Sequence, residues 1–383
     1  MPPSTAHAAT PDAAHGEDNA ARTAAGAILT IDLAAVRANY RLLRDRLGAV
    51  ACAAVVKADG YGLGAEKISR ALMREGCDTF FVAHLSEGLA LRAELGSDVV
   101  IYILNGLPAG AERTCADADL RPVLNSVEQA RAWDDLGRSA TAPPAAIQVD
   151  TGMSRLGLQP RDVMPLFEDG RSLAGIRVAL VMSHLACADT PDHPANAAQL
   201  KAFQALRPWI GGGEWSLANS SGVFLGSDWH FDLGRPGAAL YGVNPTPHLP
   251  NPMRPVVRLE ARVIQTRSVD ARAGIGYAHA LVTEKPMRLA TIALGYADGW
   301  QRRAVGAAWF KGAALPFAGR VSMDSIILDV SGLPEGDIRA GDLVELIGEH
   351  QTVDRVAELA GTIGYEVLTS FGKRFHRVYL DDA

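Results

Sequence analysis

Between residues 49 and 234 short apolar runs alternate with stretches whose apolar residues recur at helical spacing. Eight runs read as strands: Val50–Val56, Thr79–Ala83, Val99–Leu104, Arg121–Leu124, Ala146–Asp150, Ile176–Ser183, Glu214–Leu217 and His230–Gly234. Between them Ala65–Glu75, Ser86–Leu95, Ser126–Leu136 and Asn196–Trp209 read as helices. Strands that alternate with helices pair in parallel, and eight such units in roughly 200 residues predict an N-terminal (β/α)8 TIM barrel. An open doubly wound sheet is the rival, but it usually has fewer strands and a glycine-rich phosphate loop after the first. Ahead of this pattern lie a short strand, Ile28–Ile31, and a helix through Leu47. Asp32 is its N-cap, and Val36, Tyr40, Leu43 and Leu47 form its apolar face.

The pattern changes after Pro245. Pro245, Pro247, Pro250, Pro252 and Pro255 crowd one stretch that reads as a linker. Beyond it Val256–Val269, Met287–Leu294, Ser325–Val330, Leu343–Ile347 and Phe375–Leu380 are strand-like, with one helical stretch at Val353–Leu359. A barrel over 27–247 followed by a mostly β C-terminal domain over 248–383 is therefore expected, with Ile28–Ile31 a candidate to pack on the latter. Residues 1–26 contain no Leu, Ile, Val, Phe, Tyr or Trp. Such a segment buries too little apolar surface to offset its ordering entropy, so a disordered tail is expected.

Charge and cysteine usage narrow the function class. Lys plus Arg number 37 against 43 Asp plus Glu, a net charge of −6 over 383 residues, with no basic run. Nucleic acid is not an expected partner. No apolar stretch approaches the roughly 18 residues of a membrane span, and the N-terminus has no secretory apolar centre. Cys52, Cys77, Cys115 and Cys187 lie far apart and show no zinc spacing, as expected for unpaired thiols in the cytoplasm. His184, Asp189, Asp192 and His193 fit no standard metal motif, so no metal is assigned.

A barrel of this kind builds its site at the carboxyl ends of its strands. The residues that follow the eight runs are Lys57, His84, Asn105, Asn125, Asp150 with Arg155, His184, Asn219-Ser220 and Arg235. Solvent-facing strand ends are polar anyway, but Ser, Gly and Asp would be commoner there than Lys, Arg and His. Lys57 ends the apolar run 49–56. A lysine at the lip of a buried barrel loses hydration, which lowers its pKa and makes it a nucleophile for an aldehyde. An arginine in a Gly-flanked loop, Arg155, suits a carboxylate or phenolate. Ser220 opens a short helix, and Arg235-Pro-Gly237-Ala238 follows the eighth run. Phosphate sites in this fold are built by the loops after strands seven and eight, although an ordinary helix cap would look much the same.

Taken together, Ala-Val-Val-Lys57-Ala-Asp-Gly-Tyr61-Gly, Asp150-Thr-Gly-Met-Ser-Arg155-Leu-Gly, Ala218-Asn-Ser220, Arg235-Pro-Gly237-Ala-Ala-Leu-Tyr241-Gly, Leu294-Gly-Tyr296-Ala-Asp298-Gly, Gly319-Arg-Val-Ser-Met323-Asp324 and Gly364-Tyr365-Glu366 resemble, in order, the landmarks of the alanine racemase family. The likeness runs from about Ile28 to Tyr379. It implies a pyridoxal 5'-phosphate enzyme that interconverts L- and D-alanine and supplies D-alanine for peptidoglycan. Lys57 would carry the cofactor as a Schiff base and act as a base on one face of the substrate. Tyr277, in Gly-Ile-Gly-Tyr277-Ala-His, would act on the other. A free phenol, with a pKa of about 10, is a weak base at neutral pH, so the resemblance places His184 and Arg235 in a supporting network. Arg235 would also face the pyridine nitrogen. Tyr61, Ser220, Gly237, Ala238 and Tyr365 would surround the phosphate, Arg155 and the Met323 N–H would meet the substrate carboxylate, and Tyr296 and Asp324 would line the site. Tyr277 and Met323 would come from the other subunit, which implies a homodimer with shared sites.

One departure stands out. Many members carry a carbamylated lysine where this chain has Gln148. A neutral amide can hydrogen-bond Arg155 but not balance its charge, so either the amide suffices or a bound anion such as chloride supplements it. Competing readings are a broader racemase of serine or other small amino acids, a basic amino-acid decarboxylase on the same barrel, and a cofactor-carrying regulatory protein. The decarboxylase is disfavoured because no cysteine follows Cys187, and the regulatory protein because it usually lacks a β-domain.

Overall fold

The computed structural model describes residues 20–140, 142–167 and 173–381, and the chain divides into two compact units. The larger comprises Leu33–Val256 with Asp381. The smaller comprises Val257–Leu380 with the preceding segment up to Asp32, which carries the first strand, β1 (Ala27–Asp32).

The larger unit is the parallel α/β barrel that the alternation predicts. Its strands are β2 (Ala51–Cys52), β3 (Ala54–Val55), β4 (Thr79–Val82), β5 (Val100–Ile103), β6 (Arg121–Leu124), β7 (Ala145–Gln148), β8 (Val178–Met182), β9 (Glu214–Ser216) and β10 (Leu233–Gly234). β3 to β9 form one seven-stranded parallel sheet in sequence order. The run 232–236 closes the ring. On one side the Asp232 and Arg235 N–H groups donate to Trp215 and Ala218; on the other, Ala51, Ala53 and Val55 donate to Asp232, Gly234 and Pro236. The expected first strand, Val50–Val56, is thus two short pieces, one paired with β10 and one with β4. Closing a tilted barrel needs this stagger. Phe80, Phe81, Ile101, Ile103, Ile147 and Val181 are fully buried, as strands covered on both faces require.

Around the ring run helices Leu33–Leu47, Ala65–Met73, Leu85–Leu95, Val127–Ser139 and Pro194–Gln204, close to their sequence patterns. Two more, Glu112–Asp117 and Pro160–Phe167, were not signalled. Both are short, which leaves little periodicity to read. The prolines after 245 are not a free linker. Asn39 in the first helix accepts from the Arg254 N–H at 2.7 Å and donates to the Arg254 carbonyl at 3.0 Å and the Leu240 carbonyl at 3.2 Å. The boundary accordingly falls after Val256 rather than after residue 247.

The smaller unit is mostly β. Its elements are β11 (Val257–Val269), β12 (Gly274–Ile275), β13 (Leu281–Val282), β14 (Met287–Ile292), β15 (Ala307–Phe310), β16 (Ala313–Pro316), β17 (Ile326–Asp329), β18 (Leu343–Ile347) and β19 (His376–Leu380). β1 lies between β11, antiparallel, and β19, parallel. The β15–β16 hairpin turns at Lys311-Gly312, both at positive φ. Its Ala-rich arms gave no strand signal, because alanine is depleted in strands.

Residues 1–19 of the expected tail lie outside the described residues. The remainder differs from expectation, since 20–24 form a helical turn. The Arg262 guanidinium donates to the carbonyls of Ala25 and Arg22, both at 3.1 Å. A guanidinium on β11 thus orders a segment with no large apolar side chain. No helix among the described residues is long and apolar enough to cross a membrane.

Candidate active site

Val56 ends the first barrel strand, and the chain then enters a left-handed turn. Ala58, Asp59, Gly60 and Tyr61 have φ between 53° and 61°. For the three that are not glycine this costs about 1–2 kcal/mol each. The turn is held by Gly60 N–H to Val56 O and Gly64 N–H to Asp59 O, both 2.8 Å, and by the Asp59 carboxylate, which accepts from Ala65 N–H at 2.9 Å. It places Lys57, partly buried, at the barrel mouth. Burial and then Arg155 pull the Lys57 amine below its ordinary pKa, while Glu87 opposes them. A larger fraction of it is neutral and nucleophilic than in a free lysine.

The same turn brings the Tyr61 ring within 4.6 Å of the buried Tyr241 ring, whose hydroxyl donates to Val55 O at 2.9 Å. Gly237 faces the Tyr61 hydroxyl. A Cβ built there would lie 2.5 Å from that oxygen and 3.2 Å from Val55 Cβ. Ser220 Oγ accepts from Gly237 N–H at 2.9 Å and Ala239 N–H at 3.2 Å. Ala238 opens a 3-10 turn, whose first N–H groups have no partner within the turn. The Ser220 and Tyr61 hydroxyls and the Ala238 N–H therefore lie around Gly237, a donor set that suits a phosphate.

Arg235 is 3% exposed. It donates to the Ser183 carbonyl at 2.6 Å and to Ser216 Oγ, which itself donates to Leu233 O. Burial lowers its pKa from the ordinary value, yet a guanidinium stays protonated at neutral pH. No carboxylate among the described residues pairs with it. A buried cation without a counter-ion suits a neutral acceptor such as a ring nitrogen. His184 lies within reach of the Arg235 charge. Burial, then Arg235, Arg155 and Lys57, push its pKa down to about 3, so its imidazole is neutral at physiological pH. The unfolded chain binds this proton more readily, so stability contributed here is lost as pH falls from about 6.5 towards 3. In thermal melts, His184→Gln is expected to flatten that part of the profile; an unchanged slope would contradict it.

Arg155 sits on the loop after β7. Asp150 Oδ1 accepts from Gly152, Met153 and Ser154 N–H at 2.9–3.1 Å. Burial alone would raise the Asp150 pKa, but these donors hold it below its usual value. Ser154 takes φ 57° just ahead of Arg155, whose charge reaches both Lys57 and His184. The expected Gln148–Arg155 bond is replaced, since Gln148 Nε2 donates to Leu156 O at 3.0 Å. Buried at 6% exposure, this amide braces the loop backbone rather than the guanidinium.

In the smaller unit Tyr277, Tyr296, Met323 and Tyr365 are exposed, Tyr277 at 68%. Tyr277 opens a 3-10 turn raised by Gly276. The Tyr296 turn packs on the Met323 loop: Tyr296 and Ala297 N–H donate to Ser322 O and Met323 O, both 3.0 Å. Arg374 bridges Asp298 at 2.6 Å and Asp324 at 2.8 Å.

Sequence reading missed the residues that hold these groups. They are Ser183 and Ser216 under Arg235, Arg374 beside Asp324, and Gln199, which donates to His184 O at 2.8 Å and Thr151 Oγ1 at 3.4 Å. It also missed Glu87, although His84-x-x-Glu87 ahead of an apolar run has the spacing of a helix-capping pair. His193 caps its own helix through Nδ1. Among the described residues no three His, Cys, Asp or Glu could hold a metal ion together. Cys52, Cys77 and Cys115 are buried free thiols whose pKa burial raises.

Residues 31–245 match the family described as alanine racemase, N-terminal domain, and residues 256–379 the alanine racemase, C-terminal domain. The chain belongs to the alanine racemase family. It is 60% identical over 361 residues to the catabolic alanine racemase of Mesorhizobium japonicum, covering 93% of this chain and 94% of that one. The catabolic alanine racemase of Agrobacterium fabrum is 52% identical, with 92% of each chain covered. Among solved structures, Bartonella henselae alanine racemase with covalently bound pyridoxal phosphate superposes with a TM-score of 0.89 at 45% identity, covering 93% of this chain and all of that one. The chain is thus a pyridoxal-phosphate-dependent isomerase, and the Lys57 amine, the Ser220–Gly237–Tyr61 cradle and the unpaired Arg235 fit that cofactor.

Proposed function

We propose that this alanine racemase works by two bases, Lys57 on one face of the substrate α-carbon and Tyr277 on the other. The observation that carries the reading is the buried Arg235 without a carboxylate, beside a neutral His184 and a lysine of lowered pKa. Bound pyridoxal phosphate supplies the electron sink that acidifies the α-hydrogen. Arg235 would face the ring nitrogen and keep its own proton, so that nitrogen would stay unprotonated, the sink would be weaker and side reactions would be suppressed. Lys57 Nζ takes or returns the proton on its face, and Tyr277 Oη does so on the other. Arg155 and the Met323 N–H bind the substrate carboxylate, Tyr61, Ser220, Gly237, Ala238 and Tyr365 bind the phosphate, and Tyr296 and Asp324 line the mouth.

The 68% exposure of Tyr277 and 52% of Met323 support a homodimer in which each β-domain serves the partner's barrel, and the free thiols suit the cytoplasm. The test is L-alanine in D2O with Tyr277→Phe beside the wild type. Racemisation is expected to fall by about 10²–10⁴-fold, while Lys57 still exchanges the α-hydrogen of one enantiomer. Wild-type racemisation in Tyr277→Phe would overturn the two-base reading.

A racemase runs both ways, so its physiological direction is set by what consumes the product. The names of the two catabolic relatives favour a role in alanine breakdown. Supply of D-alanine to peptidoglycan is the second reading. A deletion strain that needs added D-alanine supports supply, whereas one that only fails to grow on D-alanine supports catabolism. Relative kcat/KM for alanine and serine separates alanine from broader specificity.

A further inference from the structure

The left-handed turn behind Lys57 is held at its start by a side chain that follows a different strand. Glu87 stands in the first turn of helix Leu85–Leu95, after β4. One carboxylate oxygen accepts from the Ala83 and His84 N–H groups at 2.7 and 3.0 Å. The other accepts from the Ala58 N–H at 2.6 Å. Ala58 is the residue after Lys57 and the first of the left-handed run. Charge-assisted bonds of this length are about twice as strong as neutral ones. Three of them on one carboxylate can hold a backbone that otherwise relaxes out of the left-handed region.

We propose that Glu87 is a positioning residue for Lys57: its carboxylate ties the strained turn to the end of β4 and so fixes where the lysine amine stands. Glu87 makes no ion pair with Lys57 within 4.0 Å, so it acts through the Ala58 backbone and through its field. The charges that act on Lys57 are Arg155 and Glu87, with His184 close enough to feel the lysine; Glu87 is the anion of that group, while the Asp59 carboxylate of the same turn is engaged by the Ala65 N–H. The inference rests on Lys57 acting as proposed above. Wild-type turnover in Lys57→Ala would remove that reading, whereas Glu87 variants leave the lysine in place and test only its support.

The experiment uses full-length holoenzyme and three variants. Glu87→Gln keeps the shape of the side chain but opposes one backbone donor with another and removes the charge. Glu87→Asp keeps the charge on a shorter arm. Ser126→Ala removes the cap that bonds Gln129 N–H on a neighbouring helix, a comparable structural loss away from Lys57. For Glu87→Gln, kcat is expected to fall at least about tenfold with KM within about threefold, and the pH midpoint of the visible absorbance of the Lys57-bound cofactor to drop by about one unit. Glu87→Asp is expected to lose kcat while keeping the midpoint, and Ser126→Ala to keep both. Wild-type kcat and midpoint in Glu87→Gln would overturn the proposal. So would Ser126→Ala losing as much kcat as Glu87→Gln for an equal fall in melting temperature.

Discussion

Lys57→Ala is expected to lower racemisation of either enantiomer by about 10⁴-fold or more, and to abolish trapping of the cofactor by borohydride. Two separate contributions vanish together. The general base on one face is worth about 10²–10⁴ alone. The covalent anchor that holds the cofactor in register is lost as well, and misplaced reacting groups cost about a further 10²-fold. Folding should be almost unaffected, because the strain lies in Ala58, Asp59 and Tyr61, whose φ values the alanine does not alter. Loss of a positive charge that Arg155 already opposes is even mildly favourable. Chiral chromatography of product together with a melting curve decides the matter. A variant that melts with the wild type but still racemises within tenfold of it would dismiss Lys57 from the chemistry.

Gly237→Ala is expected to weaken cofactor binding by about 10- to 100-fold, or about 1.4–2.8 kcal/mol, while saturated enzyme keeps most of its kcat. The reason is space. The new methyl would stand 2.5 Å from the Tyr61 hydroxyl, and that ring cannot easily swing away. Its backbone is locked in the left-handed turn, and its face lies on the fully buried Tyr241. Either Tyr61 moves out of the phosphate cradle or the 237–239 backbone retreats from Ser220. Titration of apoenzyme with pyridoxal phosphate, followed by absorbance, measures the loss. Wild-type affinity would mean that the cradle does not hold the phosphate.

The barrel was legible because its signal is repetitive. Eight apolar runs at strand length, each ending in a polar residue, leave few other architectures. The line of site residues from Lys57 to Arg235 could be read for the same reason: strand ends are where such a barrel puts its chemistry. What stayed hidden has one physical character. Ser216, Gln199 and Glu87 pin backbone groups of distant segments and Ser183 lends its own carbonyl to Arg235, so their partners depend on the folded path, not on any local spacing. Gln148 is the instructive case. Its position between strand and loop was plain, but its partner depended on the folded path of the loop, in which Ser154 is left-handed and the Leu156 carbonyl comes within reach. The Ala-rich hairpin β15–β16 and the turn at 20–24 were missed for want of large apolar side chains.

The place of β1 in its sheet has a consequence in time. This strand leaves the ribosome before any of the barrel, yet both of its neighbours, β11 and β19, lie on the far side of it. At about 5–20 residues per second, roughly 10–45 s of synthesis separate β1 from the first residues of β11. Throughout that interval Ile28, Leu29 and Ile31, all fully buried at the end, have no partner strand to cover them. The barrel sequence is complete before either partner emerges, so the β-domain must be the last part of each new chain to mature.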